Sequence, residues 1–159
     1  MTAIVLPDAD ATAALAQALA RTRPQHAVLH LAGDLGAGKS TLARALLRAL
    51  GVEGPIRSPT YTLVERYAVP GGEAWHLDLY RIGDAGELEF LGLDPAEATL
   101  WLVEWPERGA GALPPADVLL TLDHAERGRE ARLTGVSPCG DAWLTAATAA
   151  FTGAIFTRD

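Results

Sequence analysis

The sequence predicts a single α/β domain: three layers, with a mainly parallel central sheet and antiparallel strands flanking it. Three observations carry that expectation. Apolar runs of strand length alternate with helical segments. A glycine-rich stretch joins one buried strand directly to a strong helix. Thr99-Leu100-Trp101-Leu102-Val103 is apolar without alternation, the pattern of a parallel strand covered on both faces. A chain of 159 residues is the size of one compact domain, 1–159, able to bury roughly two thirds of its unfolded surface.

The elements follow in order. Asp8 or Asp10 is placed to cap a first helix whose apolar positions, Leu15, Leu19 and neighbouring alanines, recur at helical spacing. Ala27-Val28-Leu29-His30-Leu31-Ala32 reads as a buried strand running straight into Gly33. Residues 41–50 form a helix with Leu42, Leu46, Leu47 and Leu50 on its apolar side, and Gly51 ends it. Residues 61–67 and 74–80 are strand-like runs around Pro70-Gly71-Gly72, which is hairpin or loop chemistry. Residues 84–91 make a short helix, and Pro106 ends the apolar strand. Residues 118–122 and 131–136 pair as late strands around a polar turn at 125–129. Ser137-Pro138-Cys139-Gly140 is a turn, and an alanine-rich helix over 142–150 follows.

Composition narrows the function. With 49% hydrophobic and 21% charged residues the chain is globular, and no apolar run approaches the eighteen or so residues of a membrane span. The first ten residues lack the pattern of an export signal, so a cytoplasmic location is expected. Cys139 is the only cysteine, which excludes an intramolecular disulfide and a cysteine-rich metal site. The formal charge of −7 repels phosphate-rich polymers, so direct tight binding of nucleic acid, DNA included, is not expected. Twelve of the thirteen basic residues are arginine, and the single lysine is Lys39. A compact ammonium fits beside a phosphate inside a tight backbone loop, where a planar guanidinium does not.

That lysine lies in Gly33-Asp34-Leu35-Gly36-Ala37-Gly38-Lys39-Ser40, followed by Thr41, which matches the Walker A phosphate-binding loop between a strand and a helix. This motif makes the predicted fold that of a P-loop NTPase, and the whole stretch a binding site for ATP or ADP with Mg2+. Glycines let several backbone amides converge on one anion, and the helix start adds roughly half a positive charge. Lys39 is placed for the β- and γ-phosphates, and Ser40 for the magnesium ion. The second half of such a site needs an acid at a strand end, and there are two candidates, Asp78 and Glu104. Thr60, in Ser58-Pro59-Thr60-Tyr61-Thr62, is the candidate γ-phosphate sensor, although a simple proline turn would give the same spacing.

The chain has no asparagine and no second lysine, so the Asn-Lys-x-Asp guanine motif is absent and a GTPase is disfavoured. A small-molecule kinase is the second reading. It would need an arginine-bearing lid, for which the sequence offers Arg108 and the group Arg127, Arg129 and Arg132. The four histidines, at 26, 30, 76 and 124, lack metal-ligand spacing and read as structural.

Five signatures stand in order: the loop from Gly33, Ser-Pro-Thr-Tyr-Thr-Leu-Val from Ser58, His-Leu-Asp-Leu-Tyr-Arg from His76, Glu-Leu-Glu from Glu87, and Glu-Trp-Pro-Glu from Glu104. Over nearly its whole length the chain resembles the TsaE family, the ATPases of bacterial tRNA threonylcarbamoyladenosine (t6A) biosynthesis. The resemblance implies slow ATP hydrolysis and a partner complex of TsaB and TsaD, which transfers threonylcarbamoyl to adenosine 37 of ANN-decoding tRNAs. The tRNA would then be met only indirectly. It also implies that Asp78 and Glu104 serve the metal and the attacking water and that Trp105 flanks the site. Arg129, within Gly128-Arg129-Glu130-Ala131-Arg132, would contact nucleotide, and Asp8, with Leu6, Pro7 and Thr12, would lie near the adenine. Ser40 stands where the family more often has Thr, and Leu77 where Phe is common; both substitutions keep the chemistry.

Overall fold

The computed structural model describes residues 1–153 and 155–157. Among the described residues eight strands form one sheet: β1 (Thr2–Leu6), β2 (Ala27–Ala32), β3 (Val64–Val69), β4 (Gly72–Asp78), β5 (Leu100–Glu104), β6 (Val118–His124), β7 (Arg129–Gly135) and β8 (Ile155–Thr157). Their order across the sheet is β3-β4-β5-β2-β6-β7-β1-β8. The central four, β4, β5, β2 and β6, are mutually parallel, and the outer pairings on both sides are antiparallel. The predicted fold class holds. The helices are α1 (Ala9–Thr22), α2 (Lys39–Ala49) and α3 (Pro138–Ala150).

The period-2 alternation of the strands divides the core into two. Ala74, Leu100, Leu102, Leu29, Leu31, Val118 and Leu120 face the helices, joining Leu15, Leu19, Leu42, Leu46 and Trp143 in the larger cluster. Trp75, Leu77, Trp101 and Val103 face the other way and are covered by Leu79, Ile82, Leu88 and Ala98. That second face is roofed by short 3-10 turns at Ala85–Leu91, Pro95–Glu97 and Pro106–Gly109 rather than by long helices. Buried Trp143 ties α3 to α1 through its indole N–H, which donates to the Leu19 carbonyl at 3.1 Å.

Several local expectations shift. Residues 84–91 tighten into a 3-10 turn, capped by Asp84, whose carboxylate accepts from the Gly86 N–H at 2.9 Å. Strand β3 starts at Val64 because residues 59–63 are consumed by a turn in which the Leu63 N–H donates to the Pro59 carbonyl. Ser137-Pro138-Cys139-Gly140 is not a free turn but the start of α3: Ser137 is the N-cap, accepting from the Gly140 N–H at 2.9 Å, and Pro138 takes the first turn. The strand β1 was not foreseen. It is held by long-range antiparallel pairing with β7 and β8, which no local pattern encodes. Among the described residues no helix is long and apolar enough to cross a membrane.

Candidate functional site

The site is assembled at the carboxyl ends of the parallel strands. β2 ends at Ala32, and the chain turns through Gly33, Gly36 and Gly38, all at positive φ (138°, 76° and 108°), before α2 begins. Helix α2 starts at Lys39, two residues earlier than its apolar pattern suggests, so Lys39 and Ser40 occupy its first turn. Its unpaired N-terminal amides and the dipole at that end favour an anion there. Leu35 lies exposed at the loop's tip and Ala37 is packed inward.

Lys39 is only 4% exposed. Its ammonium donates to the carbonyls of Gly33 (2.6 Å) and Asp34 (2.8 Å) and lies 4.5 Å from the centre of the Trp105 ring. Burial pushes its pKa below the ordinary lysine value, against the smaller opposing pull of Glu104, Asp78, Glu107 and Asp34.

Two carboxylates face it from adjacent strands. In the parallel pairing of β4 and β5, Asp78 lies opposite Glu104, so both acids leave the sheet side by side on the helix-bearing face. Glu104, 2% exposed, accepts from the Ser40 hydroxyl through both oxygens, at 2.9 and 3.0 Å. Asp78 accepts from the Thr60 hydroxyl (3.3 Å) and the Tyr80 N–H (3.0 Å). Ser40, Thr60, Asp78 and Glu104 line one cleft of about 380 Å³ with Lys39 and Trp105. Among the described residues no three His, Cys, Asp or Glu side chains group as a metal cage. The donor set present, one hydroxyl and one or two carboxylates, suits magnesium, which prefers oxygen, keeps several waters and takes the rest of its shell from phosphates.

A second pocket of about 230 Å³ shares Gly38 and Thr41 with the first and is walled by Leu6, Asp8, Thr12, Leu122 and Arg129. Asp8 caps α1 there, accepting from the Ala11 N–H at 2.9 Å. Arg129 braces the loop itself: its guanidinium donates to the carbonyls of Ala37 (3.0 Å), Gly36 (3.2 Å) and Gly128 (3.0 Å).

Trp105 sits in the left-handed region at φ 56°, uncommon for a side chain of that bulk. Its ring packs at 5.0 Å against Tyr80, and the Arg108 guanidinium lies over both rings. Arg108 is thus held against the aromatic pair and donates to the Tyr80 carbonyl, and Arg132 is paired with Asp123. His76, read from its spacing as one of four structural histidines, is instead in contact with the site, its Nε2 lying 2.6 Å from Glu104. The available signal was period 2: two residues before Asp78 on a strand, His76 had to share its face.

The fold and the loop define the class, an α/β protein of the P-loop NTPase fold. A family model described as "Threonylcarbamoyl adenosine biosynthesis protein TsaE" matches residues 6–132. The tRNA threonylcarbamoyladenosine biosynthesis protein TsaE of Haemophilus influenzae is 42% identical over 128 residues, covering 79% of this chain and 81% of that protein. The same-named protein of Aquifex aeolicus is 39% identical over 122 residues, covering 76% and 85%. The crystal structure of Bacillus subtilis YdiB matches with a TM-score of 0.74 at 25% identity, covering 94% of both chains. The chain belongs to the TsaE family, whose proteins are involved in tRNA threonylcarbamoyladenosine biosynthesis.

Proposed function

We propose that this protein is a magnesium-dependent ATPase, slow by itself, which acts on a TsaB–TsaD complex during threonylcarbamoylation of tRNA. The observation that carries the ATPase reading is the Ser40–Glu104 contact at the head of a helix whose first residue is the chain's only lysine. Backbone amides of residues 33–41 would cradle the α- and β-phosphates. Lys39 would exchange the Gly33 and Asp34 carbonyls for β- and γ-phosphate oxygens, regaining with charged partners what it gives up. Ser40 and Glu104 would hold Mg2+, which when bound neutralises charge developing on the β- and γ-oxygens. Asp78, with Thr60 bonded to it, would orient the attacking water. The second pocket, between Asp8 and Arg129, would take the base and sugar, with Arg129 keeping the loop in shape. A net charge of −7 fits a protein that reaches tRNA through partners.

The deciding experiment follows the γ-phosphate of labelled ATP, with and without TsaB–TsaD. Free phosphate, released slowly by the protein alone and faster with the complex, is the expected outcome. A phosphorylated small molecule would instead establish the kinase reading. Absence of thermal protection by MgATP would overturn both.

A further inference from the structure

His76 is fully buried, on the second residue before the end of β4. On the helix-facing side, His76 lies opposite Leu102 and Asp78 opposite Glu104, so the imidazole has to reach one step along the sheet to meet the Glu104 carboxylate. It does so at 2.6 Å, Nε2 to Oε2, while its Nδ1 is buried with no hydrogen-bond partner among the described residues. Among the described residues, the imidazole directs its one hydrogen bond at a carboxylate that already accepts from Ser40.

The arrangement also places a proton. A carboxylate oxygen only accepts, so at 2.6 Å from Glu104 it is Nε2 that carries the proton of this contact. Oε2 of Glu104 thus takes hydrogen bonds from both His76 and Ser40, and among the described residues Oε1 takes only Ser40's. Oε1 therefore keeps spare acceptor capacity toward the cleft.

We propose that His76 is a positioning residue: by donating from Nε2 to Oε2 of Glu104, it holds that carboxylate against Ser40, in the orientation in which the pair receives the magnesium ion. It touches neither nucleotide nor metal. Buried outer partners of metal-binding carboxylates alter metal affinity or activity by about 10–100-fold when removed. The inference rests on the proposed role of Glu104, and the test separates the two.

The test uses the full chain with ADP, whose binding is measured calorimetrically across a magnesium titration and again in EDTA. His76→Leu removes the donor; His76→Gln returns an amide N–H near the Nε2 position. His76→Leu is expected to raise the Mg2+ concentration for half-maximal tightening of ADP binding by about tenfold or more. Binding in EDTA should change by no more than about twofold, and His76→Gln should recover most of the loss. If His76→Leu does not fold, His76→Met, unbranched and also without a donor, takes its place. In addition, imidazole 15N spectra of the nucleotide-free protein should show a proton on Nε2. A magnesium midpoint unchanged in His76→Leu, equal loss in Leu and Gln variants, or the opposite tautomer would each overturn the inference alone. A wild-type protein indifferent to magnesium would overturn the function it rests on, and the inference with it.

Discussion

The substitution Gly33→Ala places a Cβ 2.4 Å from the Leu122 carbonyl oxygen and 3.3 Å from its carbonyl carbon, both backbone atoms of β6. Real Cβ atoms essentially never approach closer than 3.0 Å, so loop and strand must part by at least 0.6 Å, the difference between 3.0 and 2.4. Neither can yield easily, since Gly33 directly follows β2 and β2 is paired with β6 through Ala32 and Thr121. Overpacking of this kind costs about 1–3 kcal/mol. A φ of +138°, which side-chain-bearing residues rarely adopt, adds a further ~1–3 kcal/mol. Gly36→Ala is the control within the same loop. Its φ is +76° and nothing lies within 4 Å of the added methyl, so only the left-handed backbone cost of about 1–2 kcal/mol remains. For a chain of this size each kcal/mol lowers Tm by about 2–4 °C. Gly36→Ala should therefore lose about 2–8 °C and Gly33→Ala roughly 4–24 °C, followed by circular dichroism on the nucleotide-free protein. A Gly33→Ala loss no larger than that of Gly36→Ala would refute the reasoning.

Lys39→Ala removes the only lysine and a charge-assisted contact worth about 1.5–3 kcal/mol in binding, so MgATP affinity should fall about ten- to hundredfold and hydrolysis should cease; wild-type turnover would contradict the site. Arg129→Ala frees three carbonyls, those of Gly36, Ala37 and Gly128, and loosens the loop. Its MgATP affinity, measured by calorimetry, should drop about tenfold, at ~1.4 kcal/mol per decade, and an unchanged value would mean the brace is dispensable. Burial lowers the pKa of His30 below 6.5, with the Pro114 carbonyl and Asp117 offsetting part of the effect. As pH drops through 6.5 the unfolded chain gains a proton that folded His30 refuses, so this group's contribution to stability shrinks until its folded pKa is passed. His30→Gln should flatten that acid-side decline in Tm, and a variant curve parallel to wild type would exclude His30 as its source.

The phosphate loop was legible because its chemistry is local. Glycines at 33, 36 and 38, a lysine and a hydroxyl in fixed succession between a strand and a helix need no distant residue to be recognised. The two acids were legible as candidates but not as neighbours. Their adjacency comes from the β4–β5 register, in which Asp78 meets Glu104 across 26 positions of chain. Thr60 was a matter of spacing until the turn before β3 brought its hydroxyl to Asp78. Arg129 shows the same limit: its motif pointed to nucleotide, and only the fold brings its guanidinium to the loop carbonyls of Gly36 and Ala37, with a third bond to its neighbour Gly128.

By itself, then, the sequence determined the parallel α/β class, the helices, the buried central strand and the phosphate loop, since periodicity, turn residues and composition act over a few residues at a time. Only the tertiary structure decided the place of β1, the pairing of Ser40 with Glu104, the bracing of the loop by Arg129 and the reach of His76 toward the carboxylate. Those depend on sheet register between segments far apart in the chain. A one-residue slip of a strand turns every side chain to the opposite face, and the hydrophobic pattern of one strand alone does not state which neighbour it will meet.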